Sequence, residues 1–276
     1  MGRAVLSHTA HGNLSAMAPT AVLVHGILGS RRNWASTARR LAKRFPQWHF
    51  ITVDLRGHGD ADCGDEPHTV AACADDLLAL VDELGRRPSC VIGHSFGGKV
   101  ALACGQLAPM GLRFIWSLDS DPGISAAPTI QSVTQVIDEI RRVPMPQAHR
   151  LAVKQHFERA GLSSAIGAWM TTNLRRGEHG FHWTFDLSTI ESLLADYRQL
   201  DMWPFLDDPT RTIPVHFMLA GQSTWWSDPV ESRLRALARS RVVVLPSAGH
   251  WLHIDEPDGM LNALSDTFDA MDTIGD

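Results

Sequence analysis

The chain has 276 residues, of which 44% are hydrophobic and 20% are charged, a composition typical of a folded globular protein and not of a disordered one. The formal net charge is −5 and the sequence contains no block of Lys or Arg, which argues against sequence-independent nucleic-acid binding. No stretch approaches the ~20 apolar residues of a membrane helix, so we expect no membrane span.

The cysteines and the N-terminal segment both indicate a cytoplasmic protein. None of the four cysteines has the C-x-x-C spacing of a metal site, and Cys90 and Cys104 lie in apolar runs where buried, reduced thiols are expected. The first 21 residues include His8, His11 and Asn13, where a signal peptide needs a continuous apolar segment. We therefore expect a cytoplasmic protein with reduced thiols.

Short aliphatic strands alternate with helices over the first 118 residues. The predicted strands cover residues 21–24, 50–53, 90–92 and 114–118. Helical spacing of apolar residues follows the first three strands, at 34–42, 70–84 and 99–107. Continuous apolar strands separated by helices predict a parallel sheet that is covered on both faces.

The pattern changes in the middle of the chain, where helical segments are interrupted by Pro144, Pro146 and several glycines. This stretch also carries large side chains, namely Trp169, Met170, Phe181, Trp183 and Trp203. The alternation then returns, with strands at 215–219 and 242–245 and helices at 230–238 and 259–271. We predict one α/β core, residues 1–119 and 212–276, with a helical lid insertion at 120–211.

A G-x-S-x-G motif, Gly93 to Gly97, lies directly between a predicted strand and a predicted helix. In that context a sharp turn projects the serine hydroxyl, and the new helix aims its free N–H groups at the reacting carbonyl. A glycine-rich turn in which Ser95 only caps the helix is the alternative. The strand and the helix on either side favour Ser95 as a nucleophile.

A serine nucleophile needs a general base, and among 14 histidines only position can select it. His250 follows the last predicted strand and precedes the last helix, in a loop that can reach the serine. His253 is better explained as a second polar residue of that loop, and His94 as a side chain packed beside Ser95. We predict His250 as the base.

Four motifs in chain order carry a family resemblance: HGILGS at 25–30, DLRGHG at 54–59, GHSFGGK at 93–99 and GHW at 249–251. Together they resemble the α/β-hydrolase superfamily and, within it, the small-esterase branch that includes bacterial YbfF and abhydrolase domain-containing protein 11. The resemblance covers nearly the whole chain and is weakest across the insertion. It implies the α/β-hydrolase fold, a mostly parallel sheet with helices on both faces, and a serine hydrolase that uses no cofactor.

The acid that orients the base departs from the superfamily's usual pattern. An Asp normally stands three residues past the Gly that ends the strand before the last, but here Thr224 occupies that position. Asp119, directly after the strand at 114–118, matches an Asp of the resembled branch. Asp228 and Asp121 stay open as alternatives, and any of the three could be an ordinary loop or cap carboxylate. We favour Asp119.

The resemblance also implies an oxyanion hole made by the backbone N–H groups of Ile27 and Phe96. The nearby DLRGHG motif places an Asp and a His close together, as a metal site would. We interpret it instead as a structural turn, in which Asp54 and Arg56 hold the loop and the glycines supply positive φ. No metal is expected.

The aromatic residues of the insertion are the expected specificity element. Trp169 and Trp183 are candidates for substrate contact, although packing within the insertion is the alternative for each. His25 and Trp251, which belong to the motifs nearest the predicted site, complete the substrate-binding set. A lid over a serine nucleophile indicates an apolar chamber for a medium-sized hydrophobic group.

The sequence thus predicts a carboxylesterase-type serine hydrolase that acts on small-molecule esters, with thioesters as a second substrate class. The same residues would also serve a C–C bond hydrolase, a perhydrolase or an acyltransferase. A non-catalytic ligand receptor on the same fold is the alternative from a different class. A serine at the elbow argues against the dehalogenases and epoxide hydrolases of this fold, which use an Asp there.

Overall fold

The structure, a computed structural model, describes residues 2–124, 127–223 and 226–272. Within these ranges the strands are β1 (His8–Gly12), β2 (Thr20–Val24), β3 (His49–Val53), β4 (Pro88–His94), β5 (Phe114–Leu118), β6 (Leu174–Gly177), β7 (Gly180–Trp183), β8 (Val215–Ala220) and β9 (Ser240–Leu245).

Helices follow most of these strands. They are α1 (Ala35–Arg44), α2 (Val70–Glu83), α3 (Phe96–Gln106), α4 (Ala127–Arg142), α5 (Arg150–Arg159), α6 (Ser164–Thr172), α7 (Leu187–Gln199), α8 (Trp203–Leu206), α9 (Asp228–Ala236), α10 (Leu252–Asp255) and α11 (Pro257–Asp272). None of the helices in the described part of the chain is long and apolar enough to cross a membrane.

Seven of the described strands form one sheet in the order β1-β3-β2-β4-β5-β8-β9. β1 pairs antiparallel with β3, and the other pairings are parallel. The mostly parallel sheet is the predicted one. β1 was not predicted, because its sequence HTAHG is almost wholly exposed at the sheet edge and has no apolar alternation.

The sheet is covered on both faces because successive strand residues point to opposite sides. Val22 and Val24 of β2 pack in one cluster with residues of α2 and α3, whereas Ala21 and Leu23 pack in a second cluster with residues of α1 and α11. The parallel pairing of β4, β5 and β8 places their carboxyl ends side by side at one edge of the sheet, where ligands of open α/β sheets bind.

Residues 127–206, here called the cap, lie between β5 and β8 in the chain. The cap contains α4 to α8 and, within the described residues, one element that was not predicted, the antiparallel hairpin of β6 and β7. β6 reads LRRG and three of its four residues are exposed, so it shows no apolar alternation. β7 is mostly half-buried and reads GFHW, and its two alternating apolar residues are too few to mark a strand in the sequence. The division of the chain at residues 119 and 212 stays a prediction.

Candidate active site

Ser95 occupies the turn between β4 and α3, with φ 53° and ψ −119°. A residue with a side chain rarely adopts this backbone conformation, so the surrounding structure must hold Ser95 in it. The flanking glycines make the turn possible: a Cβ on Gly93 would lie 1.8 Å from the Gly97 carbonyl oxygen, and one on Gly97 would lie 2.6 Å from that of His25. The two glycines of the motif are therefore a steric requirement of this turn.

His250, 155 positions further along the chain, lies at hydrogen-bond distance from this serine. Its Nε2 is 3.1 Å from Ser95 Oγ, and its Nδ1 is 2.8 Å from Asp119 Oδ2. A carboxylate accepts only, so Nδ1 carries the proton, and Nε2 is left to accept the serine proton. The arrangement can turn a weak hydroxyl nucleophile into an active one.

Asp119 follows β5 at positive φ, 44°, and its side chain is fully buried. The carboxylate accepts three hydrogen bonds. Besides the bond from His250, its Oδ1 accepts from the backbone N–H of Ala220 at 3.0 Å and from Trp226 Nε1 at 2.6 Å. Three donors offset the cost of burying the charge and fix both oxygens in place.

The alternative acids have other positions. Asp228 is exposed at the first residue of α9, and Asp121 accepts a hydrogen bond from the Gly123 N–H at 2.8 Å. Thr224, which occupies the position usual for the acid, lies outside the described residues. Of the candidate acids, Asp119 is the one that contacts His250.

Two more histidine rings lie near that of His250: the ring centroid of His94 is 4.7 Å from that of His250, and the ring centroid of His253 is 5.5 Å from that of His94. His94 Nε2 donates to the backbone carbonyl of His250 at 2.6 Å, which fixes the loop that carries the base. Burial, followed by the nearby His250, lowers the pKa of His94 well below its usual value. Burial also lowers the pKa of His253 to about 4. Both rings are therefore neutral at pH 7 and add no charge next to His250.

A reciprocal pair of histidines holds the loop after β2. The backbone N–H of Leu28 donates to His58 Nε2, and that of Leu55 donates to His25 Nε2, each at 3.1 Å. The Nδ1 atoms donate in turn to the backbone carbonyls of Gly26 at 2.7 Å and Arg56 at 2.9 Å. All four ring nitrogens thus serve the backbone.

The DLRGHG loop is held in place by hydrogen bonds of Arg56 and Asp54. Arg56 pairs through two nitrogens with the buried Asp76, at 2.7 and 2.9 Å. Asp54 instead accepts from the backbone N–H groups of Arg31 at 2.6 Å and Asp60 at 3.0 Å. Asp54 and Arg56 therefore hold the loop through separate partners and not through each other.

Ser95 and His250 lie in the wall of a cavity of about 320 Å³, which is within the size range of small-molecule sites. Ile27 and Phe96 also line it, and a Cβ built on Gly26 would lie 3.2 Å from Ser95 Cβ, so this backbone passes directly beside the serine. The first N–H groups of α3 have no partner within the helix. The apolar part of the wall includes Val133, Val136, Ile166 and Leu194.

The structure separates the four residues predicted to contact substrate. Trp169 and Trp251 both line the cavity, with ring centroids 5.7 Å apart. His25 lines it too, but its ring nitrogens are used by the backbone. Trp183 lies elsewhere: it stacks on Phe185 at 5.1 Å and lines a second cavity beside the hairpin. The expected contact of Trp183 with the substrate is therefore not supported by its position.

Several side chains at the site were not found from the sequence. Trp226 binds Asp119, and Asn173 Nδ2 donates to the Leu28 carbonyl at 2.8 Å, which joins the cap to the loop after β2. Lys99 is fully buried under the cap, and Arg198 lines the cavity. The GHSFGGK motif contains Lys99, but no local pattern marks the other three.

A serine held on a strand-to-helix turn, a histidine and an acid above a mostly parallel sheet define the α/β-hydrolase class of proteins. The chain belongs to the α/β-hydrolase family, whose family profile matches residues 21–263. The fold and the family resemblance predicted from the four motifs are thereby confirmed.

Individual relatives include esterases and a lipase. The chain is 29% identical over 257 residues to the sn-1-specific diacylglycerol lipase ABHD11 of Mus musculus, covering 90% of this chain and 80% of that protein. It is 28% identical over 247 residues to esterase YbfF of Escherichia coli strain K12, covering 88% and 90%. A solved marine microorganism esterase has a TM-score of 0.84 at 21% identity, covering 95% and 98%, and shows the shared fold.

Proposed function

We propose that the protein is a serine hydrolase that cleaves carboxylic esters with medium-sized hydrophobic acyl groups through an acyl-enzyme. One observation carries this proposal: Ser95, His250 and Asp119 form a continuous chain of hydrogen bonds in the wall of a mostly apolar cavity. The similarity to an esterase and to a diacylglycerol lipase supports ester substrates.

In the proposed mechanism, Ser95 Oγ attacks the ester carbonyl carbon while His250 Nε2 takes the hydroxyl proton. The backbone N–H groups of Ile27 and Phe96 stabilise the oxyanion of the tetrahedral intermediate, and each such donor is typically worth ~3–4 kcal/mol of barrier. His250 then returns the proton to the departing alcohol. Asp119 keeps the ring of His250 in the required tautomer and orientation throughout.

Water completes the proposed cycle. His250 removes a proton from a water molecule, the resulting hydroxide attacks the acyl-enzyme carbonyl, and Ser95 recovers its proton as the acid is released. The apolar wall favours substrates with a hydrophobic acyl or alcohol group. The cavity volume of about 320 Å³ suits a medium-sized ester.

The test is hydrolysis of p-nitrophenyl butyrate by the parent protein and by Ser95→Ala. We expect Ser95→Ala to lose turnover and to lose labelling by a fluorophosphonate probe. Ser192→Ala is the matched control, because Ser192 is exposed on α7 and is not part of the cavity wall. Equal rates for Ser95→Ala and the parent would refute the mechanism, and a folded parent without labelling would favour a ligand receptor.

A series of p-nitrophenyl esters and acyl-CoA thioesters with acyl chains of graded length tests the substrate class. We expect the highest kcat/KM for oxygen esters of intermediate length, because longer chains exceed the cavity and shorter ones leave its apolar wall in water. A preference for the thioesters at every length would replace the proposed substrate class.

A further inference from the structure

Arg198 places a positive charge in the otherwise apolar part of the cavity wall. It lies on α7 of the cap and is the one Lys or Arg among the described residues that line the cavity. Its Nη2 donates to Thr134 Oγ1 of α4 at 2.9 Å, so a second cap helix holds the guanidinium. Among the described side chains, no carboxylate lies within ion-pair distance of it.

The other charged groups of the wall already have partners. The three donors described above hold Asp119, and the positive charge of the buried Lys99 attracts Asp121. Burial lowers the pKa values of three lining histidines, so these rings are neutral at pH 7: His25, His94 and His253. In the described part of the chain, Arg198 is left as the cavity-lining cation that has no carboxylate within ion-pair distance.

A cation in this position favours a ligand with one negative charge. The guanidinium fork matches the two oxygens of a carboxylate, and such charge-assisted bonds are stronger in a poorly hydrated cavity than at an exposed surface. A phosphate monoester carries about −1.5 to −2 charges at pH 7, which one guanidinium does not balance. The single positive charge therefore favours a carboxylate over a phosphate monoester.

We propose that Arg198 binds a carboxylate of the substrate, so that the preferred esters are half-esters of dicarboxylic acids. This inference rests on the proposed esterase function and narrows its substrate class. The ester end lies at Ser95 and the acyl chain fills the apolar part of the cavity. The free carboxylate of the acyl group pairs with Arg198.

The experiment compares kcat/KM for monomethyl glutarate with that for methyl valerate, which has the same length but no charge. We expect the parent to prefer the half-ester, and Arg198→Gln to lower the ratio of the two kcat/KM values by about 10- to 100-fold, mainly through KM. Arg198→Lys should recover part of the ratio, since it keeps the charge and loses the fork.

Arg159→Gln is the matched control, because Arg159 is exposed on α5, is not part of the cavity wall, and its loss changes the net charge equally. It should keep the parent ratio. A ratio unchanged by Arg198→Gln, or lowered equally by Arg159→Gln, would overturn the proposal. So would a parent that cleaves methyl valerate but not the half-ester.

Binding measurements separate this proposal from the esterase function. Calorimetric titration of glutarate into Ser95→Ala, with and without Arg198→Gln, reports the anion site without turnover. Glutarate binding that Arg198→Gln abolishes supports the carboxylate site. If neither ester is cleaved, that result refutes the esterase function but leaves the carboxylate site standing. Binding that Arg198→Gln leaves unchanged, or no binding at all, would contradict the anion site.

Discussion

Trp226 Nε1 donates a 2.6 Å hydrogen bond to Asp119 Oδ1, and so the loop after β8 holds an acid that comes from the end of β5. The N–H of Ala220, the last residue of β8, donates to the same oxygen. The resembled superfamily usually carries the acid itself after this strand. Here the same region supplies donors, and the carboxylate reaches His250 from the neighbouring strand.

Trp226→Phe removes one donor from a fully buried carboxylate but keeps most of the packing. Hydrogen bonds to charged groups contribute about 1.5–3 kcal/mol, so we expect kcat/KM for p-nitrophenyl butyrate to fall by about 10-fold or more. Trp183→Phe is the control, since Trp183 lies at the second cavity. A Trp226→Phe enzyme as active as the control would mean that the indole only fills space.

Asp119→Asn tests the assignment of the acid. The amide cannot hold His250 in the required tautomer, and the equivalent change in a serine protease triad costs about 10⁴-fold in kcat. We expect a loss of several orders of magnitude, measured as p-nitrophenyl butyrate hydrolysis, with an unchanged circular dichroism spectrum. Asp228→Asn, in an exposed residue of α9, should keep the parent rate. The reverse result would assign the acid to the loop after β8.

Lys99 joins the helix that follows the nucleophile to the cap. Its Nζ donates to the carbonyl oxygens of Gly123 at 2.6 Å, Tyr197 at 2.8 Å and Leu200 at 2.8 Å, and it lies 4.3 Å from the Tyr197 ring centroid. Two of these carbonyls lie at the C-terminal end of α7, where a positive charge is favourable. Lys99 therefore holds the helix that carries Arg198.

Lys99→Met leaves three carbonyl groups without their donor at a fully buried position. We expect the free energy of unfolding in urea to fall by about 2–4 kcal/mol. KM should rise more than kcat falls, because α7 supplies the cavity wall and not the reacting groups. Lys43→Met, at an exposed position of α1, is the control and should change neither quantity. Equal stabilities for the two variants would contradict the proposed role of Lys99.

The sequence predicts those parts of the molecule that local patterns encode. The apolar runs of β2 to β5 mark buried parallel strands, and Gly93 and Gly97 mark the turn at Ser95 because steric contacts allow no side chain there. Contacts between distant segments leave no local pattern. The bond from Trp226 to Asp119 spans 107 positions, and Arg198 becomes a cavity residue only once the cap is folded over the core.

The same distinction explains which contacts the sequence does not reveal. Trp183 has the large aromatic side chain expected of a specificity residue. It lies on the hairpin of β6 and β7, which was not predicted and which places it at the second cavity. Asp54 and Arg56 are close in sequence, yet their partners are Arg31 and Asp76, which only the folded chain brings near. Local sequence patterns thus identify the turns better than they identify which distant side chains will be in contact.

His25 and His58 should make the protein sensitive to acid. Burial lowers their pKa values to about 4 and about 3, against an ordinary value of 6.5. Between the lowered pKa of each histidine and 6.5, the unfolded chain binds a proton that the folded chain does not. The free energy of unfolding therefore has its full value above pH 6.5 and falls as the pH drops. Protonation of Nε2 would also remove the acceptor for Leu28 or Leu55.

Urea unfolding of the parent and of His58→Gln between pH 6.5 and pH 4.5 measures this effect. His58 alone should account for about 2 kcal/mol of the parent's loss over that interval, because one pKa unit corresponds to about 1.4 kcal/mol. His58→Gln should be less stable at pH 7 but should show a shallower decline in acid. His179→Gln, in an exposed residue between β6 and β7, should decline as steeply as the parent. Parallel curves for His58→Gln and the parent would mean that His58 is not the group that takes up a proton on unfolding.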